Sequence, residues 1–436
     1  MTLVVGMARS GVAAARLLQS RGESVFVTDS GKGSTSSELD AAGIPWEAGT
    51  HTLSKFVSAD QIVVSPGVPL TIAPLEAART KGVPIVSELE LASRYLKGEI
   101  VGITGSNGKT TTTTLVGEIL KAAGKIVQVG GNIGTAMCGL VDTSTPETVN
   151  VIEVSSFQLD AIVDFRPRVA ALLNVTPDHL DRYPDFEAYR RSKFRIFENQ
   201  VKTDIAVLNR DDANVFPPLT PLKSHQSLFS RTDGVSEGAF RFGGMLYLNG
   251  RAVINATDVR LRGEHNIENV LASLAITAPY AVPTATLSRV IGEFQGVEHR
   301  IEYAGTVRGV DFFNDSKATN VDSAIKAVQS FERNLILILG GKDKGAPYDP
   351  LVAAMDRKVK HVVLIGDAAA KIASAIGTKF PVLHATTLDD AVQQSLSVSA
   401  PGDVVLLSPA CASFDMFENY EHRGRVFKHA VQELLH

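Results

Sequence analysis

The chain has 436 residues, with 44% hydrophobic and 21% charged, which is ordinary globular composition and enough length for about two to four domains. The formal net charge is -4, so there is no basic surplus to neutralise a nucleic-acid backbone. No apolar stretch reaches transmembrane length, and the amino terminus lacks the basic and apolar segments of a secretion signal. The two cysteines, Cys138 and Cys411, lack metal-ligand spacing, which favours reduced, buried thiols. We therefore expect a cytoplasmic protein that binds neither nucleic acid nor membrane.

The first predicted unit, residues 1–95, opens with a β-α-β pattern. Its elements are the strand Leu3–Val5, the turn Gly6–Gly11, a helix from Val12, and the strand Ser24–Val27, which leads into Asp29. An acidic residue after the second strand resembles a dinucleotide-binding fold. The middle glycine of that fingerprint is replaced by Ala8, so the signature is incomplete. We expect a Rossmann-like domain.

The second predicted unit, residues 96–297, begins with Val101-Gly-Ile-Thr-Gly-Ser-Asn-Gly-Lys-Thr-Thr111. A strand, a glycine-rich turn and a helix in this order point backbone N–H groups at an anion. Lys109 can reach phosphate oxygens, and the Thr110 hydroxyl can reach Mg²⁺. A strict P-loop would have glycine where this chain has Ile103, and an ordinary Gly-Lys turn is the alternative. The segment predicts a nucleoside-triphosphate site.

Nearly continuous apolar strands follow, a pattern typical of parallel sheets that are buried on both faces. In the central unit they are Val149–Val154, Val169–Asn174 and Ile205–Asn209. In the third unit, residues 298–436, they are Leu335–Leu339, Val362–Ile365 and Val404–Ser408. The expected fold is α/β with three domains: N-terminal Rossmann-like, a central P-loop ATPase-like parallel sheet, and C-terminal Rossmann-like.

Two residues of the central unit, Glu153 and His179, are candidates for metal chemistry, and Lys193 is considered beside them. Glu153 ends a buried strand, where a carboxylate can hold Mg²⁺, although a structural carboxylate is the alternative. His179 lies among Asp178, Asp181 and Arg182, where it could bind a metal or simply belong to a polar loop. The residue pattern around Lys193 favours a surface lysine with a buried stem.

The third unit also places polar residues after strands. A guanidinium such as Arg300 can clamp phosphate, and a carboxylate such as Asp315 can accept from ribose hydroxyls. The segment around Asp315 could instead be a helix N-cap. Lys344 and Ser413 follow later strands, where a small anionic substrate could bind.

Several motifs together resemble the muramyl ligase family over essentially the whole chain. They are Thr104-Gly-Ser-Asn-Gly-Lys-Thr110, Glu153-Val-Ser-Ser-Phe-Gln158, Asn174-Val-Thr-Pro-Asp-His179, His299-Arg300 and Asp315-Ser-Lys-Ala-Thr-Asn320. The last motif, with Leu-Ser-Pro-Ala-Cys-Ala-Ser413, favours the branch that adds D-glutamate. The resemblance implies an ATP- and Mg²⁺-dependent amide ligase of peptidoglycan precursor synthesis. It would join D-glutamate to UDP-N-acetylmuramoyl-L-alanine through an acyl phosphate.

The resemblance also implies roles for individual residues. Residues 1–95 would bind the UDP substrate, 96–297 would bind ATP, and 298–436 would contact ATP and D-glutamate. Lys109, His179 and Lys193 would be catalytic, and Lys193 would be carbamylated. ATP would contact Gly105, Ser106, Asn107, Gly108, Lys109, Thr110, Thr111, Asn269, Arg300 and Asp315. Metal ions would be held by Thr110, Glu153, His179 and Lys193, the UDP substrate by Ser10, Asp29, Ser30, Gly67 and Asn132, and D-glutamate by Lys317, Thr319, Lys344 and Ser413.

Other functions remain open from sequence. A folyl-polyglutamate synthase shares the phosphate loop, and a triphosphate-driven switch protein would have it without ligase chemistry. A nicotinamide oxidoreductase is disfavoured by the incomplete glycine fingerprint. We expect a monomer whose partners are small-molecule substrates.

Overall fold

The computed structural model describes residues 1–31, 35–178, 182–261 and 263–435. The chain divides into two compact units, Met1–Asp258 with Glu268–Gly292, and Val259–Ile267 with Glu293–His436. Within the described ranges, no helix combines the length and apolar character needed to cross a membrane. Cys138 and Cys411 are buried free thiols, as the sequence predicts.

The first sheet has five parallel strands in the order β3-β2-β1-β4-β5. Its strands are β1 Thr2–Val5, β2 Val25–Asp29, β3 Trp46–Ala48, β4 Gln61–Val64 and β5 Ile85–Ser87. Its helices are α1 Arg9–Ser20, α2 Ser36–Ala41, α3 Leu53–Val57, α4 Ala73–Thr80 and α5 Glu88–Ser93. The strand order reverses between β1 and β4, and ligands of open α/β sheets bind at such a switch point. The predicted β-α-β start is confirmed.

The second sheet has nine strands in the order β14-β13-β12-β11-β10-β9-β6-β8-β7. The strands are β6 Glu99–Thr104, β7 Ile126–Gly131, β8 Thr148–Glu153, β9 Val169–Leu172, β10 Ile205–Asn209, β11 His225–Ser230, β12 Gly238–Phe242, β13 Met245–Leu248 and β14 Arg251–Asn255. The helices are α6 Lys109–Ala122, α7 Ser156–Leu159, α8 Phe186–Phe194, α9 Glu264–Thr277 and α10 Thr284–Glu293. Every residue of β8 and β9 is buried, which explains their continuous apolar sequence.

The prediction of a parallel sheet is confirmed for the strands that lie between β7 and β12 in the sheet order. It is wrong at the opposite edge. There β13 runs antiparallel to both β12 and β14. Short edge hairpins with one exposed face need no crossover helix, so they leave no α/β pattern in the sequence.

The third sheet has six strands in the order β15-β16-β20-β17-β18-β19. The strands are β15 Glu302–Val307, β16 Val310–Asn314, β17 Leu335–Gly340, β18 Val359–Ile365, β19 Val382–His384 and β20 Val404–Leu407. The helices are α11 Val321–Gln329, α12 Asp349–Ala354, α13 Ala369–Ile376, α14 Leu388–Ser397 and α15 Tyr420–Glu433. Five strands are parallel, and β15 is an antiparallel edge strand. The three sheets confirm the predicted α/β class.

Candidate active site

The phosphate loop lies at the switch point of the central sheet. It follows β6, which lies between β8 and β9 in the sheet. Glu153 is the last residue of β8, and Asn174 lies shortly after the end of β9. The loop is fixed by its neighbours: the Asn107 N–H donates to Asn174 Oδ1 at 2.8 Å, and the Ser106 N–H donates to Asn174 O at 2.9 Å. The structure therefore brings the predicted loop to the edge where ligands bind in such sheets.

Gly108 is the turn residue that the loop requires. Its φ is +83°, a left-handed conformation that other residues rarely adopt, and it immediately precedes α6. A Cβ atom there would overlap the side chain of Asn269, which is buried in α9. Asn269 therefore packs directly against the phosphate loop, where it supports the turn.

Two lysines meet at the same backbone oxygen of this loop. Lys109 Nζ donates to Gly105 O at 2.7 Å and to Ser106 O at 2.9 Å, and Lys193 Nζ donates to Gly105 O at 2.9 Å. Lys193 is only 2% exposed, so the surface position favoured by the residue pattern is wrong. Burial holds the pKa of Lys193 well below its usual value, and the nearby charge of Lys109 lowers it further. The lowered pKa favours the neutral form of the Lys193 amine.

A buried carboxylate completes the phosphate-loop site. Glu153 is 2% exposed; its Oε2 accepts from Thr110 Oγ1 at 2.7 Å and its Oε1 accepts from Asn132 Nδ2 at 2.9 Å. A carboxylate and a hydroxyl beside a phosphate loop are the oxygen donors that Mg²⁺ prefers, so the donor set fits this ion. Asn132, expected at the muramoyl region, here orients the Glu153 carboxylate. His179, the other candidate metal ligand, lies outside the described residues.

Apart from Asn132, the candidate residues for the UDP substrate lie at or beside the carboxyl ends of strands in the first sheet. Ser10 lies in the first turn of α1, Gly67 follows β4, and Asp29 and Ser30 lie at the end of β2. The Asp29 carboxylate accepts from the N–H groups of Met7 and Gly31, each at 2.6 Å. It thus shapes the glycine turn from within the protein.

In the third sheet, Asp315 follows β16 and is 3% exposed. Its Oδ2 accepts from Ser408 Oγ at 2.8 Å, and its Oδ1 accepts from the Ile301 N–H at 3.3 Å. Burial raises its pKa to about 7, against the opposing effect of Arg300. The N-cap alternative does not apply to this residue, because Asn320 caps α11 through the Ser323 N–H.

Arg300 is held in an unusual backbone segment. Its neighbours His299 and Ile301 have φ values of +66° and +46°, although neither is glycine. Such strain persists only where the surroundings enforce it, and it is frequent at functional sites. Here the conformation of His299 is held by its burial and by a 2.9 Å hydrogen bond between its Nδ1 and Asn314 Nδ2.

The candidate D-glutamate residues lie on loops that follow three neighbouring strands, β16, β20 and β17. They are Lys317 and Thr319 after β16, Ser413 after β20, and Lys344 after β17. Two backbone hydrogen bonds between Lys342 and Ala412, at 2.9 and 3.1 Å, join the second and third loops. The parallel sheet therefore brings together residues that are up to 96 positions apart in sequence, from Lys317 to Ser413.

Sequence reasoning missed two residues beside these loops, Tyr420 and Arg423. Lys317 Nζ lies 5.4 Å from the centre of the Tyr420 ring, within cation–π range. Arg423 is fully buried against two of the loops. Both are on α15, whose polar sequence resembles that of an exposed helix, so no local signal marks them.

Comparisons with known proteins give matches over almost the whole chain. Family models match at residues 1–87 (Mur ligase MurD-like, N-terminal domain), 103–277 (Mur ligase middle domain) and 299–411 (Mur ligase, glutamate ligase domain). UDP-N-acetylmuramoylalanine--D-glutamate ligase of Koribacter versatilis is 46% identical over 440 residues, covering 99% of this chain and 97% of that protein. The enzyme of the same name from Trichlorobacter lovleyi is also 46% identical, covering 99% and 98%.

Solved structures share the fold at low identity. UDP-N-acetylmuramate-alanine ligase MurC of Thermotoga maritima has a TM-score of 0.64 at 20% identity, with 99% of each chain covered. MurF ligase of Thermotoga maritima, in complex with ADP, has a TM-score of 0.65 at 17% identity, covering 94% of this chain and 96% of that one. The order of motifs, the three sheets and these matches agree, and the chain belongs to the Mur ligase family.

Proposed function

We propose that this protein is the ATP-dependent ligase that adds D-glutamate to UDP-N-acetylmuramoyl-L-alanine during synthesis of peptidoglycan precursors. The relatives of that name are 46% identical over 99% of the chain. The observation that carries the chemistry is the phosphate loop with the buried Thr110–Glu153 pair beside it. We assign the reaction to the cytoplasm, where ATP and UDP-linked precursors are available. We also propose that the protein acts as a monomer.

The proposed reaction has two steps. The terminal carboxylate of the UDP substrate attacks the γ-phosphorus of ATP, which forms an acyl phosphate and releases ADP. The amine of D-glutamate then attacks the acyl carbon, phosphate leaves, and the amine loses a proton as the amide forms. Phosphorylation is needed because a carboxylate is a poor acyl donor.

The first step brings two anions together, and the central domain would offset their repulsion. Lys109 would contact the β- and γ-phosphates while the loop from Gly105 to Thr111 supplies N–H groups. Thr110 and Glu153 would hold Mg²⁺, with His179 and a carbamylated Lys193 holding a second ion. The metal supplies charge neutralisation when bound. Arg300, Asn269 and Asp315 would belong to the ATP site, as the resemblance implies.

The flanking domains would bind the other substrates. Residues 1–95 would hold the UDP substrate through Ser10, Asp29, Ser30 and Gly67, with Asn132 from residues 96–297. Residues 298–436 would hold D-glutamate through Lys317, Thr319, Lys344 and Ser413. The positive charge of the two lysines suits an amino acid with two carboxylates.

The decisive experiment measures phosphate release with Mg-ATP and each candidate substrate. We expect release only when UDP-N-acetylmuramoyl-L-alanine and D-glutamate are present together, and none from the Lys109→Ala variant. Equal release with L-glutamate would refute the stereochemical assignment. Folate-dependent release would indicate a folyl-polyglutamate synthase, and slow release independent of D-glutamate would indicate a switch protein.

The proposed carbamate on Lys193 has its own test. Its amine is buried and its pKa lowered, so it can react with CO₂ to give a carbamate and a proton. We expect Lys193→Ala to lose activity and short carboxylic acids to restore part of it, because they can replace the carbamate oxygens. Full activity without added acid would exclude this role.

A further inference from the structure

Arg423 is the largest side chain that is completely buried in the described chain, with 0% exposure. A charged group is costly to bury unless hydrogen bonds and nearby charges compensate it. Burial lowers its pKa to about 10, and that value leaves the guanidinium charged at neutral pH. This buried charge on the carboxyl-terminal helix α15 therefore has to be compensated by its hydrogen-bond partners.

Among the described residues, every hydrogen bond of this guanidinium goes to one of two loops. On the loop after β16, Nε donates to Ser316 Oγ at 2.9 Å and Nη2 donates to Ser316 O at 2.8 Å. On the loop after β20, Nη1 and Nη2 both donate to Cys411 O at 3.2 Å, and Nη1 also approaches Ala412 O at 3.4 Å. Arg423 thus bridges two loops that are about 95 residues apart in the chain.

These loops carry the proposed D-glutamate residues. Ser316 directly precedes Lys317, and Ala412 directly precedes Ser413. Ala412 also pairs with Lys342 of the third loop, which carries Lys344. The guanidinium therefore holds two loops directly and the third through one backbone pair.

Only an arginine can make this set of contacts. Its planar fork offers five donors in fixed directions, whereas a lysine offers three donors at a single point. The acceptors lie on two separate loops, one after β16 and one after β20. Without the guanidinium, these loops would be free to shift relative to each other. A shift of about 1 Å is enough to weaken a site built from several loops.

We propose that Arg423 is a positioning residue that fixes the spacing of the amino-acid-binding loops and so sets the affinity for D-glutamate. The inference rests on the proposed function, since it assumes that these loops bind D-glutamate. Arg423 itself has no accessible surface and acts through the backbone of its partners.

The test compares Arg423→Lys with a control on the same helix. Phe427→Leu is the control, because Phe427 lies one turn further along α15, is also 0% exposed, and packs on Phe312 with ring centres 6.4 Å apart. Both variants lose buried contacts, but only the first changes the loop contacts. KM for D-glutamate, ATP and the UDP substrate are measured for each folded variant, together with its thermal midpoint.

We expect Arg423→Lys to raise KM for D-glutamate about tenfold or more, because at least one charge-assisted hydrogen bond is lost. KM for the UDP substrate should change by less than about threefold, which is smaller than the effect expected from the loss of one such hydrogen bond. Phe427→Leu should lower the thermal midpoint and leave KM for D-glutamate unchanged. If Arg423→Lys lowers only the midpoint, or raises all three KM values equally, the positioning role is refuted. Failure of the proposed function is distinguishable, because the unmodified protein would then show no D-glutamate-dependent turnover.

Discussion

Glu88 provides a test of how burial couples protonation to folding. It is the first residue of α5 and is 1% exposed. Its Oε1 accepts from the Cys138 N–H at 2.6 Å, while Oε2 has no hydrogen-bond partner among the described residues. Burial raises the pKa of Glu88 to about 7, although the Cys138 hydrogen bonds and the charge of Arg9 act in the opposite direction.

The sign of the effect on stability follows from this shift. The folded protein keeps the proton up to about pH 7, whereas the unfolded chain releases it near pH 4.5. The stabilisation is therefore complete below pH 4.5 and is lost as the pH rises to 7. A shift of this size corresponds to roughly 3 kcal/mol in the free energy of unfolding. Glu88→Gln should remove this dependence, because the amide keeps an acceptor for Cys138 and never ionises.

Urea unfolding of the unmodified protein and of Glu88→Gln, at pH 5 and at pH 8, measures the difference. Between pH 5 and pH 8 the free energy of unfolding of the unmodified protein should fall by up to about 3 kcal/mol more than that of the variant. Glu147→Gln, at an exposed position of the same unit, is the matched control and should show no such difference. Parallel pH profiles for the unmodified protein and Glu88→Gln would refute the reasoning.

Two further substitutions test buried contacts. Glu90 Oε2 accepts from the three consecutive N–H groups of residues 163–165, at 2.8 to 3.0 Å. Glu90→Gln should therefore lower the free energy of urea unfolding by about 2 kcal/mol. An unchanged urea midpoint would contradict this expectation. Gly424→Ala should cost about 1–3 kcal/mol in the same measurement, because its Cβ would overlap the imidazole of His299. That cost should shrink in a His299→Ala background, and strict additivity of the two changes would argue against the overlap.

Local pattern accounts for the features that were predicted correctly. The apolar strands β8, β9 and β17 are buried on both faces, and this requirement acts on every residue of the strand. The strand, glycine turn and helix of the phosphate loop are likewise contiguous in sequence. The antiparallel edge strands β13 and β15 were missed because they are partly exposed and connected by short turns.

The candidate site was predictable as a set of residues but not as an arrangement. The local residue pattern favoured a surface position for Lys193, whereas its burial depends on the phosphate loop 88 positions earlier in the chain. The hydrogen bond from Asn132 to Glu153 was not predicted, and it requires β7 and β8 to pair in register. These outcomes depend on which segments meet, which is not encoded in any one window of sequence.

By itself, the sequence determined the α/β class, the phosphate loop and the family, because each depends on residues that are close together or in a fixed order. Only the tertiary structure decided which charges are buried and what they hold. Arg423 illustrates the difference: in a polar helix it resembles a surface residue, and it becomes a buried bridge only because β16 and β20 are neighbours. A side chain's environment is set by the elements packed over it, and these come from distant parts of the chain.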